Sequence, residues 1–156
     1  MYRGLTSLGL LVLPLLGAAL TTKSVGKMNT KWYQSLNKAE ITPPDEVFPI
    51  VWSILYFALG LNAAVIYLNV GDEIFWDGYF PFFLAQLLFN YAWSHAFFKQ
   101  KNPTNALLIL TFMIVLTVAL TYLSYKVSAL AFMLMIAYLS WLLFAYYLNL
   151  YVVRNN

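Results

Sequence analysis

Amide and aromatic side chains recur at helical spacing in the third of the chain's hydrophobic runs. One helical face carries two amides and two rings, because positions i, i+4, i+7 and i+11 hold Gln86, Asn90, Trp93 and Phe97, with Ser94 beside them. Polar groups inside a hydrophobic span are costly unless they are satisfied, which makes each a candidate site residue. Two interpretations are open: the face lines a ligand pocket, or its amides join helices by hydrogen bonds.

Two further runs carry aromatic residues at helical spacing. The second run has Phe48, Trp52, Leu55, Tyr56 and Leu59, and the fifth run has Tyr138, Trp141, Ala145 and Asn149. If the three faces converge, they form an apolar cavity with a few amides, which suits a large flat ring system rather than an ion or a sugar. The alternative is that these faces form an ordinary packed core.

The remaining polar residues exclude several kinds of chemistry. The chain has no cysteine, which excludes thiol chemistry and thiolate metal sites. The single histidine, His95, could bind haem iron, but its place beside Phe97, Phe98 and Lys99 is more typical of a hydrogen-bonded residue at the end of a span. Carboxylates occur only between the hydrophobic runs, which argues against proton-coupled transport, and the basic residues form no continuous patch for nucleic acid.

Long apolar helices must position these residues. Of the 156 residues, 62% are hydrophobic and 10% are charged, a composition that places the chain in a lipid bilayer. The runs show no period-2 alternation, so each is expected to be helical. We therefore predict an all-α integral membrane protein with a single domain, 1–156, and a bundle of five transmembrane helices at about 5–22, 47–69, 79–98, 104–125 and 128–153. Short later connections predict that consecutive helices are close antiparallel neighbours.

The first run also has features of a secretory signal peptide. Arg3 precedes an apolar stretch at 8–20, which ends in the small residues Gly17, Ala18 and Ala19. Removal of this run would leave four helices.

Basic residues are unequally distributed between the two predicted sides of the membrane. One side holds Lys23, Lys27, Lys31, Lys38, Lys99, Lys101 and Arg154, whereas the other holds Arg3 and Lys126. Cytoplasmic loops carry the excess of Lys and Arg, so we predict an external amino terminus and a cytoplasmic carboxyl terminus. The asymmetry favours retention of the first helix.

The first connection, about 23–46, is long and contains apolar anchors and stiff turns: Trp32, Tyr33, Leu36, Ile41, Pro43 and Pro44. Such a segment is expected to fold over the bundle as a lid. The alternative is that Trp32 and Tyr33 only mark the membrane interface, where amphipathic rings are enriched.

Four motifs follow one another along the chain: WYQSLNKAEITPP at 32–44, VFPIVWSILY at 47–56, LFNYAWSHAFF at 88–98 and AYLSWLLFAYYLN at 137–149. In this order they resemble the translocator protein family, also called the tryptophan-rich sensory protein or peripheral benzodiazepine receptor (TspO/MBR) family. The resemblance implies a five-helix bundle, commonly a homodimer, whose first loop covers a pocket open to the cytosol. It also implies porphyrins, cholesterol-like lipids and synthetic benzodiazepine-type compounds as ligands, with protoporphyrin IX or haem expected and no obligatory cofactor or metal.

The resemblance also implies roles for individual residues. Trp52 and Trp141 match the family's pocket tryptophans, and Asn90 matches its third-helix asparagine. Further matches at the pocket or its rim are Tyr33, Pro43, Pro44, Trp93, Phe97 and Ala145. Combined with the helical faces above, the predicted ligand-binding set is Tyr33, Pro43, Pro44, Phe48, Trp52, Tyr56, Asn90, Trp93, Ser94, Phe97, Tyr138, Trp141 and Ala145.

Four positions depart from the family pattern. Ala39, His95 and Ala137 stand where the family commonly has proline, and Ile41 stands where it has tryptophan. Loss of proline frees the backbone, and Ile41 removes one ring from the predicted lid, so ligand preference is expected to shift.

The carboxyl-terminal helix carries a loose sterol-contact pattern, formed by Leu148, Tyr151 and Arg154. An ordinary helix end with an interfacial tyrosine and a snorkelling arginine produces the same pattern.

The leading functional hypothesis is a membrane binding protein for porphyrins and related hydrophobic ligands such as cholesterol, acting as a stress-linked sensor or in ligand transport. One alternative is a light- and oxygen-dependent porphyrin-degrading enzyme, in which Trp52 and Trp141 would assist electron transfer. Another is a membrane scaffold or assembly factor. The expected location is a bacterial envelope, or the mitochondrial outer membrane in a eukaryote.

Overall fold

The computed structural model describes residues 2–25 and 30–156, and Lys27 of the predicted cytoplasmic side lies outside these ranges. Its helices are α1 (Tyr2–Val25), α2 (Lys31–Ser35), α3 (Val47–Asn69), α4 (Phe80–Ser94), α5 (Pro103–Val127) and α6 (Ala129–Asn155). Wider π-helical turns at Ile74–Tyr79 and His95–Lys99 flank α4. The described residues contain no strand.

Four of these helices, α1, α3, α5 and α6, are long and apolar enough to cross a membrane. Their outer surfaces expose large apolar side chains such as Ile54 on α3, Phe112 and Val115 on α5, and Met133 on α6. Water would not tolerate so much exposed apolar surface, whereas lipid does. The ends of these four helices differ from the ranges predicted from sequence by at most three residues.

The region of the third predicted span is built differently. α4 alone has 15 residues, but the π-helical turns on either side continue its helical path, because Tyr79, Ser94 and His95 all keep right-handed helical backbone angles. Pro81 lacks an amide hydrogen and cannot bond to the carbonyl of Asp77. The Phe80 amide instead bonds to the Phe75 carbonyl, five residues back, which widens the turn.

The long helices form a closed ring in the order α1, α3, α6, α5, α4 and back to α1. The expectation that consecutive helices are close neighbours holds for α4 with α5 and for α5 with α6. It is wrong for α3 with α4, because α3 packs mainly against α1 and α6. Large side chains meet between α3 and α4 instead, including Trp52 with Trp93 at 5.8 Å between ring centroids. Rings of that size hold the two backbones apart.

Small residues bring α1 close to the rest of the ring. Gly60 of α3 lies against the backbone of α1, and a Cβ there would overlap the carbonyl of Leu11. Gly17 leaves room for Tyr91 of α4, whose hydroxyl donates to the Pro14 carbonyl at 3.1 Å. Helices in lipid associate through such close packing, since no hydrophobic effect drives them together.

Arg3 fastens the first turn of α1 to the end of α3. Its guanidinium donates to the carbonyls of Tyr67 and Val70, both at 2.8 Å, and lies 3.5 Å from the carboxylate of Asp72. The Tyr67 carbonyl lies in the last turn of α3 and Val70 directly follows that helix, where carbonyls lack helical partners. α1 is therefore joined to α3 both by close packing and by a cationic cap.

The described part of the first connection lies across the other end of the ring. Thr30 caps α2 by accepting from the Tyr33 amide at 3.3 Å, and the ring of Trp32 packs edge-on against Phe97 at 5.7 Å. The carboxyl end of the chain holds the same segment: the Asn37 amide donates to Asn156 Oδ1 at 2.8 Å, and Asn156 Nδ2 donates back to the Asn37 carbonyl at 3.1 Å. This connection therefore covers one end of the bundle.

Candidate functional site

A pocket lies between the first connection and the ends of α3, α4 and α6. It encloses about 490 Å³ of space not occupied by atoms, a volume that includes open solvent at its mouth. It is lined by Tyr33, Lys38 and Thr42 of the connection, by Phe48 and Trp52 of α3, by Trp93, Phe97 and Phe98, and by Ala145, Leu148, Asn149 and Val152 of α6.

Aromatic rings form one continuous wall of this pocket. The centroids of Trp52 and Trp93 are 5.8 Å apart, and Trp93 stacks on Phe97 at 5.6 Å with 27° between the ring planes. Tyr33 meets Phe97 edge-on at 6.4 Å and closes the wall on the side of the connection. Such a surface favours flat, apolar ligands, because stacked and edge-on ring contacts add to the free energy of apolar burial.

Polar groups are few among the residues that line the pocket. Asn149 is already engaged, since its Oδ1 accepts from Trp93 Nε1 at 3.1 Å and its Nδ2 donates to the Pro103 carbonyl at 2.9 Å. Lys38 places its ammonium 4.2 Å from the centroid of the Tyr33 ring and donates to the Tyr33 carbonyl at 3.1 Å. No carboxylate is among the described residues that line the pocket.

Tyr33 lies in the connection, where burial, together with the negative charge of Asp45, raises the pKa of its phenol to about 12. The phenol therefore stays neutral at physiological pH and can donate a hydrogen bond.

Deeper in the bundle, buried polar side chains join three helices. Tyr56 of α3 donates to Asn90 Oδ1 at 2.6 Å, and the Tyr138 hydroxyl of α6 accepts from Asn90 Nδ2 at 2.7 Å and from Gln86 Nε2 at 2.6 Å. All of these side chains are buried, and none is among the residues lining the pocket. Of the two interpretations of the α4 amides, the structure therefore shows helix–helix hydrogen bonds for Gln86 and Asn90.

Trp141 stands behind the pocket wall. Its ring meets Phe48 at 6.2 Å and Phe144 at 5.5 Å, both edge-on; Phe48 lines the pocket, whereas Trp141 does not. The buried Nε1 of Trp141 finds no hydrogen-bond acceptor within the residues that the structure describes. Two of the indoles singled out in the sequence, Trp52 and Trp93, thus border the hollow directly, while Trp141 supports it.

The other predicted site residues are placed as follows. Tyr33, Phe48, Phe97 and Ala145 line the pocket, whereas Pro43 and Ser94 are half-buried outside the lining and Pro44 is exposed. Leu148 of the sterol pattern lines the pocket, Tyr151 packs beside the small cluster of Phe48 and Leu148, and Arg154 is exposed.

Sequence reasoning missed some lining residues. Val152 continues the inward face of α6, three residues after Asn149, and Phe98 follows the predicted Phe97 on the wider turn after α4. That spacing could have identified Val152. Lys38 and Thr42 belong to the connection, where no periodicity indicates which way a side chain faces.

The departures from the family pattern lie at different distances from the pocket. Ala39 is buried beside Phe48 and Leu148, so it contributes to the wall's support. Ile41 is 60% exposed, and neither it nor the half-buried His95 or the exposed Ala137 is among the lining residues.

Comparison of the sequence with known proteins identifies its relatives. The sequence pattern of the TspO/MBR family matches residues 10–154. The chain belongs to the TspO/MBR family. Among its TspO/MBR relatives, the tryptophan-rich sensory protein of Cereibacter sphaeroides is 33% identical, with 90% of this chain and 85% of the relative covered. The translocator protein of Sus scrofa is 33% identical, with 97% and 90% covered, and that of Homo sapiens is 32% identical, with 96% and 89% covered.

Membership in the TspO/MBR family and the exposed apolar helices together make this an integral membrane protein. The described residues contain no group of histidine, cysteine or acidic side chains arranged to hold a metal ion.

Proposed function

We propose that the protein binds porphyrins and related flat, hydrophobic ligands such as cholesterol in the aromatic pocket, acting as a stress-linked sensor or in ligand transport. The observation that carries this proposal is the continuous ring surface of Trp52, Trp93 and Phe97, which borders the pocket between the first connection and the helix ends. A macrocycle gains stacking contacts there and requires few polar partners. The family resemblance suggests the same ligand class.

The predicted site residues divide into two roles under this proposal. Trp52 and Trp93 stack on the ligand, and Tyr33, Phe48, Phe97 and Ala145 enclose it. Tyr56, Asn90 and Tyr138 hold the helices in register through their hydrogen bonds, and Trp141 supports Phe48. Pro43, Pro44 and Ser94 shape the rim. Sterol contact at Leu148, Tyr151 and Arg154 stays a prediction.

We further propose that the bundle crosses the membrane five times, with Ile74–Lys99 as the third span. The basic end, which carries the connection and the pocket, would face the cytoplasm, and the amino terminus would lie outside. The connection then serves as a lid whose opening breaks the Asn37–Asn156 hydrogen bonds and the contact of Trp32 with Phe97. A homodimer and a bacterial or mitochondrial outer membrane location stay predictions.

Filling the pocket tests the binding proposal. Ala145 is 7% exposed and lines the pocket, so Ala145→Phe would place a ring where the ligand lies, whereas Ala137→Phe adds the same ring to an exposed position of the same helix. Titration of the detergent-solubilised protein with protoporphyrin IX, followed by tryptophan quenching, should show saturable binding in the wild type and in Ala137→Phe.

Affinity should fall at least tenfold in Ala145→Phe. Equal affinity in all three proteins would show that the porphyrin binds elsewhere on the apolar surface, and the proposal would then be wrong.

A further inference from the structure

Lys38 is the single charged side chain among the described residues that line the pocket. Its neighbours in the lining are aromatic or aliphatic apart from Thr42 and Asn149, and the amide of Asn149 is already bonded on both sides. Any ligand in this pocket therefore meets one cation and no carboxylate. This excess of positive charge favours ligands that carry a negative charge.

The ammonium of Lys38 has bonding capacity to spare. It has three donor hydrogens, and within the described part of the chain it contacts the Tyr33 carbonyl at 3.1 Å and the face of the Tyr33 ring at 4.2 Å. Within the described ranges no carboxylate forms an ion pair with Lys38, whereas Arg3 pairs with Asp72. The nearby Asp45 accepts from Gln34 Nε2 at 2.7 Å and does not line the pocket.

The Lys38 ammonium is held in position by its contacts with Tyr33. The contacts with Tyr33 fix the ammonium beside a buried ring that itself lines the pocket. A cation held next to apolar walls is less well hydrated than one on an open surface, so an anion that reaches it gains a stronger, charge-assisted hydrogen bond. Lys31 of the same connection and Lys99 after α4 are exposed and do not line the pocket.

We propose that Lys38 selects flat apolar ligands that carry an anionic group, by pairing with that group at the edge of the pocket while the rings of Trp52 and Trp93 hold the apolar body. This inference rests on the proposed function and makes organic acids the preferred members of its ligand class. Neutral ligands of the same shape bind through the rings alone.

Protoporphyrin IX and its dimethyl ester provide the test, because they share the macrocycle and differ in the charge of the propionate groups. In a neutral detergent, which leaves no anionic headgroup to compete, the wild type should bind the diacid about tenfold more tightly than the diester. Lys38→Met should reduce the diacid's affinity to that of the diester and leave the diester's affinity unchanged. Lys38→Arg should retain the preference, and Lys31→Met serves as the matched control.

The ratio of the two affinities separates charge recognition from a structural role. If Lys38→Met only loosened the connection, both affinities would fall together and the ratio would persist, which would overturn the proposal. Equal binding of diacid and diester by the wild type would also overturn it while leaving the proposed function intact. Absence of quenching by either porphyrin would overturn the proposed function and this inference with it.

Discussion

Replacement of Tyr138 by phenylalanine removes one oxygen from the buried core and tests whether this residue serves the ligand or the fold. Tyr138 is fully buried, and its hydroxyl accepts from both Gln86 and Asn90 of α4. Phenylalanine fills nearly the same volume, so the packing persists while two amide donors lose their acceptor. The change therefore isolates the hydrogen bonds that tie α4 to α6.

The expected loss of stability in Tyr138→Phe follows from the two hydrogen bonds that are removed. Interhelical hydrogen bonds in membranes contribute about 0.6 kcal/mol on average and about 1.7 kcal/mol at most. Loss of both should lower the free energy of unfolding by about 2 kcal/mol, which corresponds to a fall in Tm of about 6 °C for a chain of this size. Because the hydroxyl lies outside the pocket lining, protoporphyrin affinity should change less than about threefold, or under 0.7 kcal/mol.

Thermal unfolding in detergent, followed by helical circular dichroism, measures the change in Tm, and porphyrin titration at 10 °C measures the protoporphyrin affinity. Tyr147→Phe is the matched control, since Tyr147 lies on the same helix, is 46% exposed and forms no recorded side-chain hydrogen bond in the described part of the chain. A Tyr138→Phe variant with an unchanged Tm and a large loss of porphyrin affinity would refute this reasoning and make Tyr138 a ligand contact.

Two further substitutions test the packing of α1 and the aromatic wall. Gly60→Ala should lower the free energy of unfolding by about 1 to 3 kcal/mol in the same thermal assay, because its Cβ would overlap the Leu11 carbonyl. Gly9→Ala should leave the stability unchanged, because the space around Gly9 is open. Equal Tm values for the two variants would contradict the close approach of α1 to α3. Trp52→Ala should weaken protoporphyrin binding about tenfold through loss of stacking. Trp76→Ala, which removes a 41% exposed tryptophan from the π-helical turn before α4, should leave the affinity unchanged. Equal losses of affinity in the two variants would contradict a pocket at Trp52.

Part of the site could be anticipated from helical spacing. The inward direction of Trp52, Trp93, Phe97 and Ala145 follows from the 3.6-residue period once each run is taken as a helix, and all four line the pocket. Spacing along one helix cannot distinguish a side chain at the pocket from one a turn deeper. Asn90 shares a face with Trp93, yet its amide is used entirely within the buried network.

The order of helices around the bundle could not be read from connection lengths. Short connections predicted close contact between α3 and α4, but bulky rings occupy the space between them, and Gly60 allows α1 to pack closely against α3 instead. Which helices approach most closely depends on side-chain volume at the contact, and that is decided only when both partners are in place.

Hydrophobicity along the chain by itself determined that this is an all-helical membrane protein, because a run of apolar residues in lipid must satisfy its backbone within its own helix. The motifs and their order determined the family. Tertiary structure alone decided that Trp141 stands behind Phe48 and that Lys38 of the first connection reaches the pocket. These placements depend on contacts between residues distant in sequence, for which neither composition nor periodicity carries information.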